Sequence, residues 1–268
     1  MKVLLTGSVR DSLNFNDLCS MFIIIPSIDE QNAIANILST QDKIIELKEK
    51  LINEKQKQKK YLMQMLLTGK KRLKGFNGEW KKVKLGTFLI ECNEKNKDLQ
   101  IKNILSVNNK LGFVSQEEQF GKIVASKDLS KYKIIEKNYI AYNPSRINVG
   151  SIAIYNRQET GIVSPMYVVF KSNGNLDNIY FMEFTQSHLF YKQMKVLLTG
   201  SVRDSLNFND LCSMFIIIPS LDEQIAIVNI LSTQDKEIEL LQQDLEQEKQ
   251  KKKVLMQLLL TGIVRVKY

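Results

Sequence analysis

The side chains best equipped for chemistry in this sequence are hydrogen-bonding and cationic rather than nucleophilic. Tyr142-Asn143-Pro144-Ser145-Arg146, followed by Asn148, gathers donors and acceptors in one short run. Asn, Arg and Ser are the types that meet base edges in nucleic acid, and turns beside strands are where such groups are carried. A plain β-turn accounts for Asn143-Pro144 just as well. A second stretch, Lys127, Lys131 and Lys133, and a third, Ser201 and Arg203, suit phosphate oxygens. A solvated face explains the lysines too, and Asp204 offers Arg203 a salt bridge or a capping role.

Catalytic patterns are missing. There is no GxxxxGK[ST] phosphate loop and no glycine-rich dinucleotide turn. The one histidine, His188, has no cysteine or histidine at ligand spacing and no serine or cysteine elbow nearby. Asn143-Pro144-Ser145-Arg146 lacks the second proline and the aromatic of an amino-methyltransferase loop. Glu117-Glu118 and Asp222-Glu223 are ordinary surface and helix-start pairs. The expectation is a protein with no catalytic residue, no metal and no cofactor.

The elements that must position these groups are organised by a repeat. Met1 to Ser27 and Met194 to Ser220 are the same 27-residue string, 193 positions apart. The match continues without a gap through Asp29-Glu30-Gln31 and Asp222-Glu223-Gln224 to Leu66-Leu67-Thr68-Gly69 and Leu259-Leu260-Thr261-Gly262. Ser27 and Ser220, three residues before Glu30 and Glu223, form capping boxes. Gly69 and Gly262 suit the position just past a helix. Between start and stop lie about 40 residues, roughly 60 Å of helix. Apolar residues such as Ile34, Ile37, Leu38 and Ile227, Ile230, Leu231 make one stripe on each helix, and a long helix with one stripe needs a partner. An antiparallel coiled coil between the copies is the expected solution. The polar stretches Asn53 to Lys60 and Glu246 to Lys253 read as solvated sections or docking sites.

Between the helices the texture changes to β-branched and aromatic runs broken by turns. Tyr139 to Tyr142, Ser151 to Tyr155 and Met166 to Phe170 read as strands, and Asp177 to Met194 as a helix. The fold class expected is α+β: one mixed globule flanked by two long helices. The segments are 1–27, a remnant of a first domain; 28–69, the first helix; 70–84, a basic connector; 85–220, the globule; 221–262, the second helix; and 263–268, a tail. The connector carries seven cations against Glu79, so six of the chain's net nine positive charges.

The 268-residue chain is 44% hydrophobic, with net charge +9 and pI near 9.2, which favours a polyanionic partner. Its three cysteines occupy two independent positions, since Cys19 and Cys212 are copies and Cys92 stands apart. That suits a reducing compartment. No signal peptide and no membrane span is read, so a cytoplasmic location is expected.

Pro219-Ser220-Leu221-Asp222-Glu223-Gln224 with Ile227 and Ile230-Leu231 resembles the signature that opens the long helices of type I restriction-modification specificity subunits, and Pro26 to Leu38 repeats it. Trp80 with Leu85-Gly86 resembles the opening of a target recognition domain. Asn143 to Arg146, Asn148-Val149-Gly150 and Gly161 to Pro165 resemble its interior. The resemblance implies a non-catalytic DNA-binding subunit. Its helices would dock methyltransferase subunits, its globule would read half of a split site, and restriction subunits would join the complex. A homodimer is a further partner expectation. The family order is domain, helix, domain, helix; here a helix, a domain and a helix follow only the last 27 residues of a first domain. Met1 to Ser27 is therefore expected to be poorly packed or borrowed by a second molecule. An inactive recombination remnant and a coiled-coil protein-interaction module are the competing readings.

Overall fold

The computed structural model describes residues 15–115, 128–199 and 205–267. In chain order the elements are α1 (Phe15–Cys19), α2 (Ile28–Leu67), β1 (Lys81–Lys84), β2 (Leu89–Glu91), β3 (Ile104–Asn108), β4 (Gly112–Ser115), β5 (Lys133–Ile135), β6 (Ile140–Tyr142), β7 (Ile152–Ile154), β8 (Gly161–Val163), β9 (Val168–Ser172), α3 (Asn178–Thr185), α4 (His188–Thr199), α5 (Phe208–Ser213), β10 (Phe215–Ile218) and α6 (Leu221–Leu260). The result is a mixed helix-and-sheet protein. One compact unit comprises the described residues up to Gln56 with those from Glu237 onward; the other is Lys57–Lys236.

Helices α2 and α6 each run 40 residues. Their ends follow the local chemistry. The Glu30 and Glu223 amides donate to the Ser27 and Ser220 hydroxyls at 3.3 and 3.4 Å. Gly69 and Gly262 take left-handed φ of 68° and 72°, where a side chain would be strained. The Glu30 and Glu223 carboxylates take the guanidinium groups of Arg265 and Arg72, whose charge-assisted bonds are stronger than a neutral amide's. Gln31 and Gln224 instead donate to the carbonyls of Pro26 and Pro219 at 2.9 and 3.2 Å.

In the first unit the two helices exchange polar contacts in opposite order. Asp42 meets Lys252, Lys48 meets Asp244, and Lys55 meets Glu237 at 2.5 Å. Gln41 donates to a Glu248 carboxylate oxygen at 2.6 Å. Position rises on α2 as it falls on α6, so the segments are antiparallel. The ion pairs are partly exposed and are worth little each; they report register more than they supply stability. They also draw parts of both polar stretches, Lys55 and Lys252 among them, into contact with the opposite helix.

The described residues of the second unit form three sheets. Strands β1 and β10 pair antiparallel, Lys81 opposite Ile218 and Lys84 opposite Phe215. A four-stranded sheet runs β2-β9-β6-β7, antiparallel throughout. Another runs β4-β3-β8-β5, with β3 and β8 parallel. Leu105, Val107, Ile135, Ala141, Tyr155 and Val169 share one small core. A larger core gathers Phe170, Phe181 and Phe184 with Leu66 of α2, Ile216 and Ile218 of β10, and Leu231 of α6. Each of the three strands expected from the sequence is present, the first two shortened to β6 and β7 and the third shifted by two residues to β9. The helix expected over Asp177 to Met194 is two helices. Asp177 caps the first, accepting from the Ile179 and Tyr180 amides at 3.0 and 2.8 Å. Ser187 restarts the second by accepting from the Phe190 amide at 3.3 Å; a serine side chain that competes for backbone donors breaks the helix there.

The connector is not a free basic linker. Arg72 clamps the buried Glu223 carboxylate with two bonds of 2.9 Å, and the Trp80 indole donates to the same carboxylate at 3.1 Å. Lys82 and Lys84 stand 4.9 and 6.0 Å from the Phe215 ring centroid, distances at which a cation and an aromatic face attract.

Candidate nucleic-acid interface

The segment from Asn143 to Ser151 connects β6 to β7 and is closed by its own backbone. The Arg146 amide donates to the Asn143 carbonyl at 2.9 Å, and the Gly150 and Ser151 amides return to Ile147 and Arg146 at 3.0 and 3.1 Å. Gly150, at φ 86°, makes the reversal that a β-carbon would oppose. Ile147 is buried and anchors the loop, while Ser145, Arg146, Asn148 and Val149 are exposed. The Asn143 side chain accepts from the Ser145 amide at 3.1 Å. It serves the turn, which is the plainer of its two sequence readings.

Helix α4 supplies the groups beside this loop. Asn148, His188, Tyr191, Lys192 and Lys195 line one open groove of about 760 Å³, together with Met194, Val196 and Leu198. Among the described residues lining it, the charged side chains are lysines. His188, Tyr191, Lys192 and Lys195 recur at steps of three and four, which places them on one helix face. Tyr191 also lines a neighbouring cleft with Asn109, Lys110, Gly150 and Arg157. Sequence reasoning does not single out these α4 residues as a binding face. Their spacing carries the signal, but Asn148 stands 40 positions before His188, and only the fold joins them.

Tyr142 does not belong to this surface. It is fully buried, with its ring edge-on to Phe170 at a centroid distance of 6.1 Å. Burial drives its phenol far above the ordinary range, and the hydroxyl has no hydrogen-bond partner among the described residues. It sits at the end of β6, a strand buried on both faces, and its side chain lies in the larger core. Reading it as a DNA contact is therefore corrected to a core residue.

Lys131 and Lys133 lie elsewhere. Lys131 is exposed just before β5, the edge of the sheet that does not contain β6. Lys133 is half-buried on β5; burial pushes its amine below the ordinary range, with Glu91 opposing and Lys95 adding to the effect. Lys127, Ser201 and Arg203 lie outside the described residues, as does the first repeat copy before Phe15. Among the described residues no group of three or more His, Cys, Asp or Glu stands at metal-holding distance. None of their helices is long and apolar enough to cross a membrane.

Comparison with known proteins gives a consistent result. The family described as "Type I restriction modification DNA specificity domain" matches residues 1–57 and 77–250. The chain is 30% identical over 286 aligned positions to the specificity subunit assigned to the MjaX type I restriction enzyme of Methanocaldococcus jannaschii, covering 96% of this chain and 63% of that protein. It is 29% identical to the MjaVIII specificity subunit of the same organism, covering 91% and 62%. The chain thus spans less than two thirds of the length of these relatives. Among solved structures it is similar to the HsdS subunit of Thermoanaerobacter tengcongensis, with TM-score 0.52, 17% identity, and coverage of 98% of this chain and 67% of that one. It is also similar to the type I S subunit of M. genitalium, with TM-score 0.57, 15% identity, and coverage of 97% and 68%.

Proposed function

This chain belongs to the type I restriction-modification DNA specificity family, and we propose that its second unit reads one half of a split DNA site. The observation that carries the proposal is the groove that Asn148 lines together with His188, Tyr191, Lys192 and Lys195. Lysines would neutralise phosphates and fix the register. Asn148, with exposed Ser145 and Arg146 beside it, would meet base edges. The chain would contribute recognition and no chemistry.

Helices α2 and α6 would form an antiparallel coiled coil. The opposed order of Asp42–Lys252, Lys48–Asp244 and Lys55–Glu237 supports that reading. Methyltransferase subunits would dock on this pair, and restriction subunits would join the assembly. The family membership and the relatives' names support these partners.

The test is a titration of the full chain against a randomised duplex library at increasing salt, with sequencing of the bound fraction. Enrichment of one motif, with affinity falling as salt rises, is the expected result. A response flat in both salt and sequence rejects the DNA reading. Co-purification with a type I methyltransferase subunit tests the helices separately.

A further inference from the structure

We infer that the cleft between the β3–β4 hairpin and the segment after β7 is a second base-reading subsite, where Arg157 takes a guanine and Leu111 a thymine methyl beside the bases met by Asn148. The inference rests on the DNA reading of the Asn148 groove and extends it to two further segments of the chain.

The hairpin is built to hold its tip still. Strands β3 and β4 pair with Asn108 opposite Gly112, which leaves only Asn109 to Leu111 as the loop. The Asn108 side chain accepts from the Lys110 and Leu111 amides at 2.8 and 3.1 Å. Gly112 closes the turn at a left-handed φ of 69°, as tight hairpins of this length do. A β-carbon on Gly112 would stand 3.7 Å from Ala153 Cβ, so the base of the hairpin packs on β7. The Asn109 side-chain amide donates to the Val149 carbonyl at 3.4 Å. That bond ties the tip to the loop that carries Asn148. Lys110 and Leu111 are turned to solvent, the leucine 75% exposed.

Strand β4 is an edge of one four-stranded sheet and β7 an edge of the other. The cleft of about 680 Å³ takes in Lys110, Leu111, Phe113, Arg157, Gln186 and Tyr191. Among the described residues lining it, the charged side chains are Lys110 and Arg157. Tyr191 lines both this cleft and the Asn148 groove, so the two adjoin and one duplex can lie across both. Arg157 is exposed, and a terminal nitrogen donates to the Phe113 carbonyl at 3.1 Å. A guanidinium carries five donors. The bond to Phe113 aims the group, and the remaining donors suit guanine O6 and N7. A single exposed leucine is ordinary on a protein surface. Leu111 differs in its setting, because Val149 on the adjoining tip is 53% exposed as well. Two apolar side chains on joined tips, beside a groove bearing lysines, suit the thymine methyl, the apolar group of the major-groove pattern. Lys110 would take a neighbouring phosphate.

The test repeats the randomised-duplex titration on the full chain with Arg157→Gln, Leu111→Ala and Lys110→Ala beside wild type. All three positions are exposed, and urea midpoints equal to wild type would show that the variants fold. Arg157→Gln should turn one guanine column of the enriched motif toward adenine by about tenfold or more, since glutamine pairs with adenine as arginine does with guanine. Leu111→Ala should lower thymine severalfold at a nearby column. Lys110→Ala should keep the motif and reduce the salt slope by about 1. Asn148→Ala should change a different column from these. An unchanged motif in Arg157→Gln or in Leu111→Ala overturns the inference. So does weaker binding of Arg157→Gln with the same motif, which would make Arg157 a phosphate contact. A wild-type chain that enriches no motif rejects the DNA reading and this subsite with it; a wild-type motif that these variants leave intact rejects the subsite alone.

Discussion

Arg72 and Glu223 lie 151 positions apart and meet through two parallel bonds of 2.9 Å. Arg265 and Glu30 repeat the arrangement at the other copy of the repeat. In each case the arginine follows the end of one long helix and the glutamate opens the other. A fork of two donors on one carboxylate fixes direction as well as distance. The Glu-Gln pair in each helix signature thus has a physical role: the glutamate ties to the opposite helix's end, and the glutamine holds the preceding proline carbonyl.

Arg72→Ala should be strongly destabilising. Glu223 is 1% exposed, so losing the guanidinium leaves a buried carboxylate with only the Trp80 indole bond. The expected cost is about 3 kcal/mol, at the low end for breaking a buried pair because Arg72 itself is partly open to water. A lower denaturant midpoint for the unit containing residues 57–236 would show it. Arg72→Lys should recover only part, because an ammonium cannot make the fork.

Glu30 gives a pH dependence of known sign. The hydrogen bond from Arg265 holds its carboxyl below the usual carboxylate range; burial opposes this, and the Val266 amide adds to the lowering. A folded value below the unfolded one means the contact stabilises above the ordinary pKa of 4.5 and is lost as pH falls through the folded value. Denaturant midpoints of wild type and Glu30→Gln should therefore differ at pH 7 and converge on acidification.

Tyr142→Phe should leave the fold intact and raise stability by about 1 kcal/mol, since it removes a buried hydroxyl that lacks a partner. Destabilisation of similar size in a urea titration would show that the hydroxyl is satisfied.

Lys192→Ala with Lys195→Ala should weaken DNA binding evenly across sequences. The slope of log affinity against log salt should fall by about 2, roughly one for each phosphate no longer neutralised. Asn148→Ala should instead alter the enriched motif. An unchanged salt slope in the double variant would move the interface away from α4.

Local features are legible in the sequence. The start and stop of both long helices, the turn at Asn143 to Arg146, and strands near Tyr139, Ser151 and Met166 all depend on neighbours within a few residues. The break between α3 and α4 is hidden, because one serine's capping of the Phe190 amide outweighs a continuous apolar pattern. The groove is half legible: Asn148 stands out in the sequence, while Lys192 and Lys195 do not, since a helix and a loop distant in sequence share a surface only after folding. Tyr142 misleads because nothing local shows that both faces of β6 are covered in the fold.

The repeat marks the boundary between the two kinds of information most sharply. From Phe15 to Ser27 and from Phe208 to Ser220 the sequence is one string, and in both copies its opening residues form a short helix. Helical hydrogen bonds close within a few residues, so the string by itself determines them. Phe-Ile-Ile-Ile then becomes a paired strand at Phe215–Ile218, with Ile216 and Ile218 buried, and an exposed segment without strand pairing at Phe22–Ile25. A strand's hydrogen bonds go to another strand, here Lys81–Lys84. Only the tertiary structure decides where that partner stands.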